Sequence, residues 1–170
     1  MKKLFEFIET LSIAFLAVTF ILLFRFRIIQ VSGSSMKDTL QEDEKILISN
    51  ISHTYERGDI VVTDPNTGSG KILIKRVIGL GGDTVRIDYS TGTLYLNGVS
   101  QNEEYIREPM EYSDEVYEIT VPEGYLFLLG DNRNISIDSR NPSIGPVNEE
   151  NILGKVVLRI SPLSRFGPVK

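Results

Sequence analysis

An apolar run near the start of the chain constrains everything that follows it. Residues 4–24, LFEFIETLSIAFLAVTFILLF, carry charge only at Glu6 and Glu9, and Thr10 to Phe24 is free of it. Crossing a bilayer takes about 20 residues of helix rising about 1.5 Å each. A spanning helix therefore includes the turn with Glu6 and Glu9, placing both carboxylates near the interface. Lys2 and Lys3 ahead of it resemble the n-region of a cleaved secretory signal. The apolar part outruns an ordinary h-region, however, and leads into Phe24-Arg25-Phe26-Arg27 rather than a small-residue cleavage site. An uncleaved anchor over residues 1–27 is the expectation. Lys2 and Lys3 on one side balance Arg25 and Arg27 on the other, so charge alone leaves the orientation open.

Residues 28–170 have the size and apolar content for one globular domain. A formal net charge of -5 and the absence of basic stripes argue against a nucleic-acid surface. The chain has no cysteine, which excludes disulfides and thiol nucleophiles, and its one histidine, His53, excludes a multi-histidine metal site.

Short strand signals separated by turn clusters fill this part. They fall at 46–48, 59–63, 71–78, 84–89, 93–96, 125–129, 135–140 and 154–160, with turns at 64–70, 79–83, 90–92 and Asn97-Gly98. The pattern predicts a mainly β domain. Residues 100–118 are acidic, tyrosine-containing and poorly periodic in hydrophobicity, and are expected to form a loop or small hairpin insertion.

Just outside the apolar run stands Ser32-Gly33-Ser34-Ser35-Met36-Lys37-Asp38-Thr39-Leu40. Such a cluster is commonly a flexible exit linker. A serine becomes a nucleophile only when a base takes its proton. His53 has polar neighbours and reads as a solvated surface histidine. Lys75 lies in Lys71-Ile72-Leu73-Ile74-Lys75-Arg76-Val77-Ile78, where alternation sets it between Leu73 and Val77 on one strand face. Burial there would lower its pKa toward that of a base. The pattern is equally compatible with a lysine that snorkels from an edge strand into water. In Gly130-Asp131-Asn132-Arg133-Asn134-Ile135-Ser136-Ile137-Asp138-Ser139-Arg140, period two puts Ser136, Asp138 and Arg140 on one expected strand face. Asp138 and Arg140 could pair there and brace Ser136, whose hydroxyl could hold a lysine amine.

The segments SGSSMKDTL, RGDIVV, KRVIGLGGD and GDNRNISIDSR, in this order behind an apolar anchor, resemble the boxes of bacterial type I signal peptidases. These are membrane-bound Ser-Lys endopeptidases. The resemblance implies a β-rich catalytic domain outside the membrane, with the amino terminus on the cytoplasmic side. Ser35 matches the nucleophile and Lys75 the general base. Ser136 matches the hydroxyl orienting the lysine, and Asp138 and Arg140 the supporting ion pair. The implied substrates are secreted preproteins with signal peptides ending in small residues, and the family uses no cofactor or metal. Two positions depart from the family pattern. Asp38 stands where proline is usual, and Gly33 where some members carry an oxyanion-donating serine, implying that backbone N–H groups serve here. A membrane-anchored binding or assembly module that kept the fold without catalysis is the alternative; retention of both Ser35 and Lys75 disfavours it.

Overall fold

The computed structural model describes residues 2–51 and 54–169. The apolar run forms one helix, α1, over Lys2–Arg25, long and apolar enough to cross a membrane. Its 24 residues extend about 36 Å, more than the hydrocarbon thickness of about 30 Å. Large apolar side chains along it, among them Leu4, Phe7, Leu11, Phe15, Leu16, Phe20 and Phe24, lie exposed rather than packed on the rest of the chain.

Among the described residues eleven strands follow: β1 Phe26–Gln30, β2 Lys45–Ser49, β3 Ile60–Thr63, β4 Ile74–Gly79, β5 Thr84–Asp88, β6 Thr93–Leu96, β7 Val99–Ser100, β8 Val116–Thr120, β9 Tyr125–Leu129, β10 Val147–Asn148 and β11 Ile152–Ser161. They form a seven-stranded sheet in the order β1-β2-β11-β3-β4-β9-β10 and a four-stranded sheet in the order β7-β6-β5-β8. Every pairing is antiparallel. The mainly β expectation holds. The hairpin between β6 and β7 turns on Asn97 and Gly98, both at positive φ (52° and 80°), as a two-residue hairpin turn requires.

β1 starts one residue beyond α1, so the anchor runs straight into the sheet. Three buried clusters hold the domain. One contains Met36, Leu40, Ile46, Ile48, Val62 and Ile74, a second joins Val85, Ile87 and Leu96 to Phe127 and Leu129, and a third gathers Val61, Val77, Leu126 and Leu128. All six residues of β4 are buried.

Two expected strands differ from the observed ones. The strand expected over 71–78 begins only at Ile74, because Leu73 N donates to the Thr63 hydroxyl (3.2 Å) rather than to a backbone carbonyl, and Ile72 before it is half exposed. Residues 135–140 are not a strand at all. They form turns in which Ser136 N donates to Asn132 O (3.1 Å) and Asn141 N to Asp138 O (2.8 Å). The alternating isoleucines Ile135 and Ile137 stay exposed, and side chains satisfy the neighbouring backbone instead. Leu128 N donates to Ser139 Oγ and Gly130 N to Asp138 Oδ2. In the segment expected as a loop or hairpin, irregular backbone ends at Glu115, and β8 then pairs with β5.

Candidate active site

The Ser32–Leu40 stretch is a compact turn and not a loose linker. Leu40 N donates to Met36 O at 2.7 Å, and the side chains of both residues are almost wholly buried in the first cluster. Burial of two such side chains stabilises the turn by about 2 kcal/mol each. Gly33 enters it at φ 87°, a left-handed conformation with no Cβ penalty for glycine. Met36 and Leu40 thus fix the backbone on the far side of Ser35, and β1 leads in from the near side.

Lys75 lies in β4, opposite Val61 of β3. The residue is 3% exposed, and its Nζ lies 2.7 Å from Ser35 Oγ and 3.2 Å from Ile74 O. The snorkelling alternative is thereby excluded. Burial lowers the Lys75 pKa to about 8, against the upward pull of Asp138 and Asp131, while Arg140 adds a smaller downward push.

The Gly130–Arg140 turn closes over this pair. Asn132 N donates to Ser35 O (2.9 Å) and Asn132 Nδ2 to Ser34 O (3.1 Å), pinning the carbonyls on both sides of the Ser34–Ser35 peptide. Among the described residues, no backbone carbonyl accepts from the Ser35 N–H. A Cβ on Gly130 would fall 2.2 Å from Ser136 Oγ and 2.6 Å from Ser35 O, so only glycine allows this approach. Asp138 accepts from Arg140 Nε (2.8 Å) and Nη2 (2.9 Å), the pairing expected from their spacing. Ser136 Oγ is buried and makes no hydrogen bond among the described residues. His53 lies outside the described residues.

Asp131 was not singled out in the sequence, yet it joins the two halves of the site. Its carboxylate accepts from Arg76 Nε (2.8 Å) and Nη2 (2.7 Å) and from Thr39 Oγ1 (2.5 Å), with Arg76 and Asp131 both buried. Arg76 follows Lys75, and Thr39 belongs to the Ser35 turn. A lone Asp in a Gly-Asp-Asn turn carries no sequence mark of this partnership. The readable clue was Arg76, a cation beside Lys75 in an apolar strand, which requires a buried carboxylate.

Beside the pair opens a cavity of about 160 Å³, lined by Ile29, Val31, Ile72 and Ile74 together with Ser35 and Lys75. Its walls are mainly apolar, with Gln30 and Ser32 also lining it, and its volume suits small side chains. A wider cleft of about 520 Å³ near Asp38 and Arg165 includes neither Ser35 nor Lys75. A buried lysine against a partly buried serine, a spare backbone donor at the serine and a narrow, mainly apolar groove together provide the elements of acyl transfer.

Comparison with known proteins agrees with this chemistry. A family model described as signal peptidase, peptidase S26, matches residues 4–161. Signal peptidase IB of Staphylococcus aureus (strain N315) is 32% identical over 185 residues, covering 97% of this chain and 93% of that protein. Thylakoidal processing peptidase 1, chloroplastic, of Arabidopsis thaliana is 35% identical over 173 residues, covering 92% of this chain. The match takes in 49% of the Arabidopsis protein, so the chain spans about half the length of that relative. The crystal structure of a signal peptidase I from Enterococcus faecalis V583 matches with a TM-score of 0.51 at 35% identity, covering 60% of this chain and 96% of that one. With a family model spanning nearly its whole length, the chain belongs to the signal peptidase family, peptidase S26.

Proposed function

We propose that this chain is a membrane-bound serine endopeptidase that removes signal peptides from secreted preproteins, with Ser35 as nucleophile and Lys75 as general base. The observation that carries the assignment is the 2.7 Å contact between a buried Lys75 Nζ and Ser35 Oγ. Neutral Lys75 takes the proton from Ser35 Oγ as the oxygen attacks the scissile carbonyl. The Ser35 N–H, presented by the turn that Gly33 opens, donates to the developing oxyanion. Lys75 then gives its proton to the leaving amine, which departs, and, neutral again, Lys75 takes a proton from the water that attacks the acyl group and releases it from Ser35 Oγ. Ser136 Oγ makes no hydrogen bond to Lys75 in this structure, and its buried, unspent hydroxyl takes up the lysine amine when that amine turns away from Ser35 Oγ. The Asp138–Arg140 pair holds the turn that carries Ser136.

The apolar groove takes small side chains of the A-x-A type in an extended segment, walled by the end of β1 and by Ile72 to Lys75. Residues 1–27 serve as a cytoplasmic stub and single membrane span, and residues 28–170 as the catalytic domain on the outer side. Ten residues separate Phe24 from Ser35. The serine is thereby confined to the membrane surface, where tethered substrates meet it at high effective concentration.

The test incubates the full chain in detergent with a preprotein and compares wild type with Ser35→Ala, Lys75→Ala and His53→Ala. The first two lose about four orders of magnitude or more in kcat, and His53→Ala stays near wild type. Normal processing by Ser35→Ala would overturn the nucleophile. An active Lys75→Ala beside a dead His53→Ala would reassign the base.

A further inference from the structure

The segment Glu103–Glu111 has no regular secondary structure and lies outside the four motifs that carry the family resemblance. Its odd-numbered residues nonetheless contact, in turn, each piece of chain that builds the dyad. The Glu103 carboxylate accepts from Arg133 Nη1 and Nη2 at 2.7 and 2.6 Å, with the two side chains 6% and 0% exposed. Tyr105 donates its hydroxyl to Glu103 Oε1 at 2.7 Å and lays its ring 4.0 Å from the Arg76 guanidinium carbon. Arg107 N donates to Asp131 O at 3.3 Å, and its guanidinium pairs with Asp38 at 3.2 Å. Pro109 O accepts from Asn134 Nδ2, and Glu111 N donates to Asn134 Oδ1. Ile106 N donates to Glu103 O at 3.3 Å across a turn at Glu104 and Tyr105, so the segment is folded against these partners rather than extended. Met110 is buried in the second cluster and anchors the segment's end.

These contacts converge on the dyad from two directions. Asn132 is the residue that holds Ser35 O, and the segment fixes its neighbours on both sides: Asp131 through Arg107 N, and Arg133 through Glu103. Arg133 also donates Nε to Gly130 O (3.1 Å), and its own carbonyl accepts from Arg140 Nη2 (2.6 Å). On the lysine side, Tyr105 covers Arg76, the residue after Lys75, and Arg76 is bound in turn to Asp131. The two ends of the Ser35–Lys75 contact are therefore referenced to one carboxylate–tyrosine pair.

We infer that residues 103–111 form a strap that sets Ser35 against Lys75, with Glu103 and Tyr105 as its positioning residues. The inference rests on the dyad assigned above. Neither residue touches Ser35 or Lys75; each acts through Arg133, Asn132 and Arg76. Because Arg133 is wholly buried, loss of the Glu103 charge frees a cation that must move toward water, taking the Gly130–Asn132 backbone with it. A displacement of about 1 Å at a reacting pair is enough to reduce turnover by about a hundredfold.

The experiment measures kcat and KM of the full chain in detergent on a peptide spanning a signal-peptide cleavage site. It also measures hydrolysis of a small activated ester, which does not occupy the extended groove. Glu103→Ala, Glu103→Gln, Tyr105→Leu and Ser35→Ala are compared, with the folded fraction of each read by near-ultraviolet circular dichroism. The strap requires kcat per folded molecule to fall by about ten- to a hundredfold in Glu103→Ala and Tyr105→Leu. KM stays within about twofold, ester hydrolysis falls in parallel, and Glu103→Gln, which keeps the shape but not the charge that holds Arg133, falls with Glu103→Ala. Wild-type kcat per folded molecule in these variants overturns the strap, as does a loss confined to KM. If Glu103→Ala does not fold, Glu103→Gln against Tyr105→Leu decides by the same criteria. A fully active Ser35→Ala would instead remove the dyad on which the inference rests.

Discussion

Lys75 Nζ sits 2.7 Å from Ser35 Oγ, inside a strand whose every residue is buried. Burial lowers the lysine pKa to about 8, so the base form is the minor one at neutral pH and the major one above pH 8. For the free enzyme, kcat/KM on a signal-peptide substrate is therefore expected to rise with pH as a single deprotonation centred near 8, then level off. A pH–rate profile in detergent checks this. A limb that keeps rising past pH 10 belongs to a hydrated lysine and would contradict the burial.

The same burial weighs against the fold. The Lys75 pKa falls from 10.5 in the unfolded chain to about 8 in the folded one, so the unfolded state binds more protons between these values. Stability then rises with pH from about 8 to 10.5 and is lowest, by about 3 kcal/mol, below that window. Lys75→Met, which fills the space without a charge, is expected to abolish turnover while raising the melting temperature at pH 7. The advantage over wild type shrinks as pH rises through 8 to 10.5 and vanishes beyond it. Thermal melts of both proteins across this range test the sign.

Much of this architecture was legible because it followed hydrophobic alternation and turn chemistry. β3, β5, β6 and β9 lie within or against their expected bounds, and the Asn97-Gly98 hairpin falls where the residue types require it. The turn of Asp138 and Ser139 lies where the spacing predicts a strand. Period two in Ser136, Asp138 and Arg140 looks the same whether backbone partners or side-chain caps satisfy the neighbouring N–H groups. Lys75 stood between burial and snorkelling, since one strand does not reveal whether its neighbours cover both faces. The strap stayed hidden for a related reason. Glu103, Tyr105 and Arg107 alternate at period two, but in charge and hydrogen bonding rather than hydrophobicity, and their partners lie up to 69 residues away.

Asp131 ties Arg76 to Thr39 with both members of the ion pair buried. Asp131→Asn takes from the buried Arg76 guanidinium the carboxylate that accepts from it twice, and the expected loss is about 3–5 kcal/mol of stability. The surface pair Arg86–Glu118, at 3.9 Å, offers the contrast: Glu118→Gln leaves the melting temperature unchanged. Thermal melts of the two variants side by side measure the difference. Equal melting temperatures would mean that the Arg76 charge finds water without Asp131.

Asp38 takes the position where the family usually has proline, and it does so at φ 81°. The proline ring fixes φ near about −65°, so this turn follows a path closed to proline. Side-chain ties stand where the ring's rigidity would be. The Asp38 carboxylate pairs with Arg107, its carbonyl accepts from Arg165 Nη2 at 3.3 Å, and Arg159 Nη2 binds the next carbonyl, that of Thr39. Asp38→Pro therefore has to reverse the sign of φ three residues after Ser35, and kcat is expected to fall by about tenfold or more. Asp38→Gly, which adopts this φ freely and gives up only a half-exposed ion pair, stays within about twofold of wild type. Steady-state kinetics on the two variants separate backbone from charge. Wild-type turnover in Asp38→Pro would mean that the turn refolds at no catalytic cost, whereas equal losses in both would assign the effect to the Arg107 pairing.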